Sequence, residues 1–206
     1  MIKNRISFFI KISSNFASNH KSKINYKVMS VLVGKKAPSF KAAAVVNGGE
    51  IVSDFSLDQY LGKNHVLFFF YPKDFTFVCP TEIVDFDNLV VEFGKLNTTV
   101  FGISPDNEYC KLAWREQHPQ LKDLNHTLLA DSGNNLASEL GIISSEHVPY
   151  RVTYILNSEN TIQYVGIHGL SVGRSAAEVL RLVDSCQRGE EGMLCPAARP
   201  VGGATL

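Results

Sequence analysis

Four cysteines are the residues with the clearest capacity for covalent chemistry: Cys79, Cys110, Cys186 and Cys195. No two of them form a C-x-x-C pair, and no histidine lies at zinc-ligand spacing from any of them. In a chain of 206 residues, such sparse cysteines do not make the disulfide framework of a small secreted domain. The pattern indicates a reducing compartment with one or two active thiols, and it predicts no bound metal or other cofactor.

Cys79 has the surroundings expected of a reactive thiolate. It follows the continuous apolar run His65–Tyr71, which is typical of a buried central strand, and it precedes Thr81–Leu96, whose apolar residues recur at helical spacing. The sulfur should therefore lie at a helix N-terminus, where unpaired amides and the helix dipole stabilise negative charge. Thr76 can place a hydroxyl near the sulfur, and Pro72 can shield it from water.

The rest of the chain alternates between strand-like and helix-like segments. Strands are predicted at Thr98–Ser104, Arg151–Leu156 and Thr161–His168, and helices at Asn107–Gln117, Asn134–Leu140 and Ser175–Arg188. This order predicts an α/β domain with a mixed sheet, over residues 29–188. After it, residues 189–206 are rich in Gly and Pro and are predicted to form a loose tail that carries Cys195.

Residues 1–28 form a leader with six basic residues and no acidic one. We expect a disordered extension, or a segment upstream of a true start at Met29, and hence a cytoplasmic protein. The basic, Ser-rich composition also fits a mitochondrial transit peptide, which is the alternative location. A secretory signal fits less well, because Lys11 interrupts the apolar run Ile6–Ile12 and no small-residue cleavage site follows.

Charge and hydropathy limit the classes of partner. Lys and Arg together number 20, as do Asp and Glu, so charge favours neither nucleic acid nor an anionic membrane surface. No stretch approaches the roughly 18 apolar residues that a membrane-spanning helix needs. We therefore expect neither a nucleic acid nor a membrane as partner.

The segment P-K-D-F-T-F-V-C-P-T-E, residues 72–82, resembles the peroxidatic loop of the typical 2-Cys peroxiredoxins, in the alkyl hydroperoxide reductase C branch. The resemblance extends from about Ser30 to Pro196. It implies a thioredoxin-like fold, with a central mixed sheet flanked by helices and a C-terminal extension that carries a resolving cysteine. Pro72, Thr76 and Cys79 match the P-x-x-x-T-x-x-C motif, which implies that Cys79 is the peroxidatic cysteine.

Other site residues follow from the same resemblance. Arg151, in R-V-T-Y-I-L, resembles the arginine that completes the site, and Glu82 resembles the glutamate that holds this arginine. Arg174, in a segment similar to L-x-V-G-R, is expected to support the network. Cys195, in M-L-C-P-A, resembles the resolving cysteine, which implies a disulfide with Cys79 of another subunit. Cys186 remains an alternative resolving thiol.

The resemblance implies a thiol peroxidase that acts on hydrogen peroxide and organic hydroperoxides. Its reductant would be thioredoxin or a flavoprotein disulfide reductase, and it would form a homodimer that assembles into a decamer. The chain departs from the family pattern in three places besides the leader. Arg199 stands near an expected tryptophan, Gln117–Leu128 has no G-G-L-G insertion, and no Tyr-Phe helix precedes Leu206. The last two predict resistance to overoxidation.

Two other functions compete with this interpretation. A thioredoxin-like disulfide exchanger would share the fold, but it normally carries C-x-x-C, whereas Pro80, Thr81 and Glu82 follow Cys79. A holdase chaperone or structural ring would not need Pro72, Thr76, Cys79 and Arg151 together. A peroxide-dependent assay of thioredoxin oxidation distinguishes the three.

Overall fold

The computed structural model describes residues 31–206, so the predictions on the leader, residues 1–28, lie outside the described residues. Seven strands are present among the described residues: β1 (Lys41–Val45), β2 (Ile51–Ser56), β3 (His65–Phe70), β4 (Thr98–Ser104), β5 (Thr127–Ala130), β6 (Arg151–Leu156) and β7 (Ile162–His168). The helices are α1 (Cys79–Asn88), α2 (Val90–Lys95), α3 (Glu108–Gln117), α4 (Asn135–Glu139) and α5 (Ala176–Glu190).

The strands form one mixed sheet in the order β2-β1-β5-β4-β3-β6-β7. The β3, β4 and β5 strands run parallel, whereas β6 is antiparallel to β3. Phe70, the last residue of β3, pairs with Val152. Arg151 therefore begins β6 beside the carboxyl end of β3, where the chain leaves the sheet towards Cys79. The predicted α/β fold with a central mixed sheet is confirmed.

The continuous apolar run of β3 supplies side chains to the hydrophobic cores on both faces of the sheet. Leu67 and Phe69 belong to one core cluster with residues of α1 and α5, whereas Phe68 and Phe70 belong to a second cluster on the other face. Successive side chains of a strand point to opposite faces, so only an apolar run without alternation can fill two cores. The run predicted as a central strand is therefore buried on both faces.

The helix predicted at Thr81–Leu96 is in fact two helices. The first begins at Cys79, with Pro in its first turn, and the chain leaves helical geometry at Leu89, where φ is −108° and ψ is 7°. The second, α2, follows at once. Pro is favoured in a first helical turn because its missing N–H would have no intrahelical partner there. This earlier start makes Cys79 itself the first helical residue.

The C-terminal segment differs from its prediction. Arg199 is only 3% exposed, and its guanidinium lies 2.6 Å from the carboxylate of Asp184 on α5. The prediction of a loose tail over residues 189–206 is therefore wrong for the part around Arg199, because a buried ion pair fixes it to the domain. None of the helices in residues 31–206 is long and apolar enough to cross a membrane.

Candidate active site

Cys79 lies at the N-terminus of α1 and is 1% exposed. Val78, the residue before it, provides no side-chain cap for the helix. The first turn of a helix has backbone amides without intrahelical acceptors, and its dipole places partial positive charge there. The sulfur therefore lies where a negative charge is stabilised, as the sequence predicts.

Arg151 provides the cation that contacts this sulfur. Its Nη1 atom lies 3.3 Å from Sγ of Cys79 and 2.6 Å from Oε2 of Glu82, and its Nε donates to the carbonyl of Leu170 at 2.8 Å. Burial lowers the pKa of Arg151, but the hydrogen bond with Cys79 and the charge of Glu82 outweigh burial and raise it. The guanidinium is thus fixed, charged and aimed at the sulfur.

Glu82 joins Arg151 to a second arginine. Arg174 donates to Oε1 of Glu82 from Nε at 2.8 Å and from its backbone N–H at 2.9 Å, and to Oε2 from Nη2 at 3.1 Å. Burial raises the pKa of Glu82, but the hydrogen bonds and charge of Arg174, followed by the charge of Arg151, hold it below its ordinary value. Glu82 therefore remains a carboxylate despite being 1% exposed.

The charged side chains around the Cys79 sulfur are all buried. Arg151 and Arg174 contribute two positive charges and Glu82 one negative charge, all at relative exposures of 7% or less. One positive charge of these three side chains is therefore left over. The nearest contact of this surplus charge with the sulfur is Nη1 of Arg151, 3.3 Å from Sγ of Cys79. Arg174 makes three hydrogen bonds to Glu82, as expected of a residue that supports the network, and its contribution to catalysis stays a prediction.

The loop between β3 and α1 is anchored by a buried polar cluster that the sequence analysis missed. The Asp74 carboxylate accepts from the hydroxyl of Ser104 at 2.9 Å and lies 3.4 Å from Nζ of Lys111, and the Asp74 N–H donates to Asp106 at 2.8 Å. Burial raises the pKa of Asp74 and lowers that of Lys111. The signal for this cluster in the sequence was the position of Lys111 within α3. It lies three residues before the buried Trp114 and therefore on the same face of the helix.

Pro72 and Thr76 lie in the same loop. Pro72 is buried. Thr76 is half-buried, and its hydroxyl donates to the carbonyl of Lys73 at 3.0 Å. Within residues 31–206 no hydrogen bond joins Thr76 to Cys79, so the contribution of this hydroxyl to catalysis stays a prediction.

All four cysteines are free thiols. Cys195 is half-buried, and its Sγ lies 3.5 Å from the carbonyl oxygen of Ser185. Burial, followed by the charges of Glu190 and Cys195, raises the pKa of Cys186 to about 11. Burial also raises the pKa of Cys110. Because a thiolate is the reactive form, Cys186 and Cys110 are poorly suited to redox chemistry near neutral pH.

Comparison with known proteins agrees with this geometry. The AhpC/TSA family profile matches residues 33–165. Peroxiredoxin-2 of Bos taurus is 43% identical over 179 residues, covering 84% of this chain and 88% of the relative. Peroxiredoxin prdx-2 of Caenorhabditis elegans is 40% identical over 185 residues, covering 87% of this chain and 90% of the relative.

Solved structures show the same likeness in three dimensions. The reduced 2-Cys peroxiredoxin of Plasmodium vivax superposes with a TM-score of 0.81 at 33% identity, covering 85% of this chain and 93% of its own. AhpC of Mycobacterium tuberculosis gives a TM-score of 0.72 at 34% identity, covering 80% and 96%. The thioredoxin-like fold of the peroxiredoxins is therefore present here. The chain belongs to the AhpC/TSA family and is a peroxiredoxin, an enzyme that reduces peroxides.

Proposed function

We propose that Cys79 attacks hydrogen peroxide and organic hydroperoxides, and that Cys195 of a second subunit resolves the oxidised sulfur. The observation that carries the proposal is the 3.3 Å contact between Nη1 of Arg151 and Sγ of Cys79 at the first residue of α1. A cation and a helix N-terminus together favour a thiolate, which is the nucleophile that peroxide reduction requires.

In the first step, the Cys79 thiolate attacks one peroxide oxygen and the O–O bond breaks. The attacked oxygen stays on sulfur as a sulfenic acid, and the other oxygen leaves and takes up a proton as water or an alcohol. Arg151 and the Cys79 N–H orient the peroxide oxygens, and the Thr76 hydroxyl assists. Preorganised donors of this kind stabilise the charge that develops on the leaving oxygen.

In the second step, the Cys195 thiol of one subunit condenses with the Cys79 sulfenic acid of the other. The S–O bond breaks, water leaves, and an intersubunit disulfide forms. Cys79 is 1% exposed, so the first turn of α1 must unwind before the two sulfurs meet. Thioredoxin or a flavoprotein disulfide reductase then reduces the disulfide and restores both thiols. Neither step needs a cofactor in this protein.

Assembly into a homodimer, and of dimers into a decamer, is supported by exposed surface on the domain. The β7 strand is at an edge of the sheet, and its Ile167 is 49% exposed. Edge strands leave backbone donors and acceptors free to pair with another chain. Phe77 in the loop before Cys79 is 94% exposed, and Tyr109 is 68% exposed, so further large apolar side chains are available for contact with another subunit.

We propose a cytoplasmic location, with mitochondria as the alternative if residues 1–28 act as a transit peptide. One solved relative is the mitochondrial 2-Cys peroxiredoxin of Plasmodium falciparum, with a TM-score of 0.74 at 30% identity. Imaging of the full chain and of a variant that begins at Met29, each fused to a C-terminal fluorescent protein, distinguishes the two locations.

Peroxide-dependent oxidation of thioredoxin, followed with the purified chain, tests the function. Cys79→Ser should abolish turnover, and Cys195→Ser should reduce a single equivalent of peroxide per subunit and then stop. Cys110→Ser is the matched control and should retain turnover. On non-reducing gels the oxidised wild type should run as a covalent dimer that Cys195→Ser lacks.

The outcomes also separate the competing functions. Retained turnover by Cys79→Ser would overturn the proposed role of Cys79. A disulfide between Cys79 and Cys186 would overturn resolution by Cys195. If the protein were a disulfide exchanger, it would oxidise thioredoxin without peroxide. If it were a holdase, the Cys79→Ser variant would suppress aggregation as well as the wild type does.

A further inference from the structure

A buried ion pair joins the C-terminal segment to α5, beside a longer contact in which Nη1 of Arg181 donates to the carbonyl of Ala197 at 3.5 Å. Asp184 also lies 3.8 Å from Nε of Arg188, whose side chain is 40% exposed. Nη1 of Arg199 lies 2.6 Å from Oδ2 of Asp184, and the N–H of Gly202 donates to the same oxygen at 2.9 Å. Nε of Arg199 donates to the carbonyl of Gly203 at 2.9 Å. The side chains of Arg199 and Asp184 are 1% and 3% exposed. Arg199 thus enters the protein from an exposed Gly- and Pro-rich segment and ends on a buried carboxylate.

The Asp184–Arg199 ion pair differs in its burial from the exposed ion pairs on the same helix. Glu178 and Arg181, one turn apart on α5, lie 2.9 Å apart, but their side chains are 57% and 25% exposed. Exposed ion pairs add little stability, because water solvates the two separated charges almost as well as the charges stabilise each other. A buried charge that loses its partner is strongly destabilised, so the Asp184–Arg199 pair favours the docked segment far more than an exposed pair would.

Cys195 lies within the segment that this pair holds. It lies four positions before Arg199 and five positions after Glu190, the last residue of α5. A fully extended chain spans at most about 3.6 Å per residue, so a docked Arg199 keeps Cys195 within about 14 Å of itself. The Cys195 thiol also points inward, with Sγ 3.5 Å from the Ser185 carbonyl, and the N–H of Leu206 bonds to the Leu194 carbonyl at 2.9 Å.

We propose that the Asp184–Arg199 pair is a latch that holds Cys195 on α5 until the pair opens and lets Cys195 reach the partner's Cys79. This inference rests on the proposed resolution by Cys195. A disulfide requires its two Cα atoms to lie within about 7 Å, and the docked Cys195 thiol is engaged with its own helix. The latch sets the rate of disulfide formation, and hence the lifetime of the sulfenic acid. Asp184 and Arg199 are positioning residues, because no contact within residues 31–206 joins either one to Cys79, Arg151 or Glu82.

The test uses the full chain, reduced beforehand and mixed with one equivalent of hydrogen peroxide. Samples quenched over time on non-reducing gels give the rate of the Cys79–Cys195 disulfide. Asp184→Asn and Arg199→Met should each form it about tenfold faster, which corresponds to about 1.4 kcal/mol. The double variant should be no faster than either single variant, because the latch needs both charges. Glu92→Gln, which removes one charge from the exposed Glu92–Lys95 pair of α2, is the control and should keep the wild-type rate.

Peroxide consumption in the first step should be unchanged in all of these variants, which shows that the Cys79 site is intact. Equal or slower disulfide formation in both single variants would overturn the latch. If a single variant fails to fold, the double variant decides, because it leaves no unpaired buried charge. Absence of a Cys79–Cys195 disulfide in the wild type would instead overturn the proposed function, so the two failures are distinguishable.

Discussion

The ring of Trp114 lies 5.8 Å from the ring of Phe75, which joins the chain's single tryptophan to the loop before Cys79. Trp114 is 2% exposed, whereas Phe75 is 52% exposed. Phe75 has a φ of 53°, a left-handed conformation that non-glycine residues seldom adopt and that costs about 1–3 kcal/mol. The loop is therefore strained, and its movement changes the surroundings of Trp114.

Oxidation to the disulfide should shift the fluorescence of Trp114 to longer wavelength, because unwinding around Cys79 withdraws Phe75 and admits water. If Cys195 resolves, the Cys195→Ser variant should stop at the sulfenic acid and show no comparable shift. Stopped-flow fluorescence after one equivalent of peroxide measures both. An equal shift in Cys195→Ser would show that the loop moves on peroxide attack rather than on resolution.

Arg151→Met should slow the attack on peroxide by about two orders of magnitude, as the loss of one preorganised donor commonly does. Arg174→Met should slow it less, because Arg174 acts through Glu82 and does not contact the sulfur. Arg181→Met, at an exposed arginine of α5, is the control. Initial rates of sulfenic acid formation provide the comparison, and a wild-type rate for Arg151→Met would contradict its proposed role.

Thr76→Val should slow peroxide attack without altering the charge of the site. The side chain keeps its size and loses a hydroxyl, which in the resting protein donates to the Lys73 carbonyl. The rate of the first step should fall, whereas resolution of sulfenic acid once formed should not. A Thr76→Ser variant, which keeps the hydroxyl, should recover most of the rate.

Glu82 should make stability depend on pH in the acid range. Its pKa in the folded protein lies below its ordinary value of 4.5. As pH falls below that value, the unfolded chain binds a proton that the folded protein does not, so the free energy of unfolding decreases. Above about pH 5 the contribution of Glu82 is fully present. Urea unfolding followed by Trp114 fluorescence should show a steeper acid dependence for wild type than for Glu82→Gln.

Much of the site follows from the sequence because the chemistry is local. The apolar run of β3, the loop motif and the start of α1 are contiguous, so the position of Cys79 at a helix N-terminus could be predicted from them. The contacts of Arg151 and Arg174 with Glu82 join residues far apart in the chain. Nothing in their spacing places them together, and only the resemblance to a family predicts their contacts.

The missed elements have weak local signals. The β1 strand reads K-A-A-A-V, and alanine is depleted in strands, so its formation depends on pairing with β2 and β5. The β5 strand has four residues, too few to show a period. The docking of Arg199 was missed because a Gly- and Pro-rich composition predicts a loop but does not exclude one buried charge pair. Tertiary contacts determine whether β1 and β5 form and where Arg199 lies.

The last prediction is that the enzyme resists overoxidation of Cys79. Gln117–Leu128 has no G-G-L-G insertion, and among the described residues Phe77 remains 94% exposed and Thr81 is exposed. The outer surface of the first turn of α1 is therefore uncovered within residues 31–206. No described residue holds the turn closed from this outer surface, so we expect it to open before a second peroxide arrives and to leave the sulfenic acid to Cys195.

A second peroxide converts a sulfenic acid that stays in the folded site to sulfinic acid. Mass spectrometry of Cys79 during turnover with millimolar peroxide and reductant should therefore show little sulfinic acid in wild type. Cys195→Ser, which lacks the proposed resolving thiol, should accumulate it rapidly and is the positive control. Asp184→Asn should accumulate still less than wild type, because its latch is open. Rapid build-up of sulfinic acid in the wild type would mean that opening of the turn is slow despite its exposure.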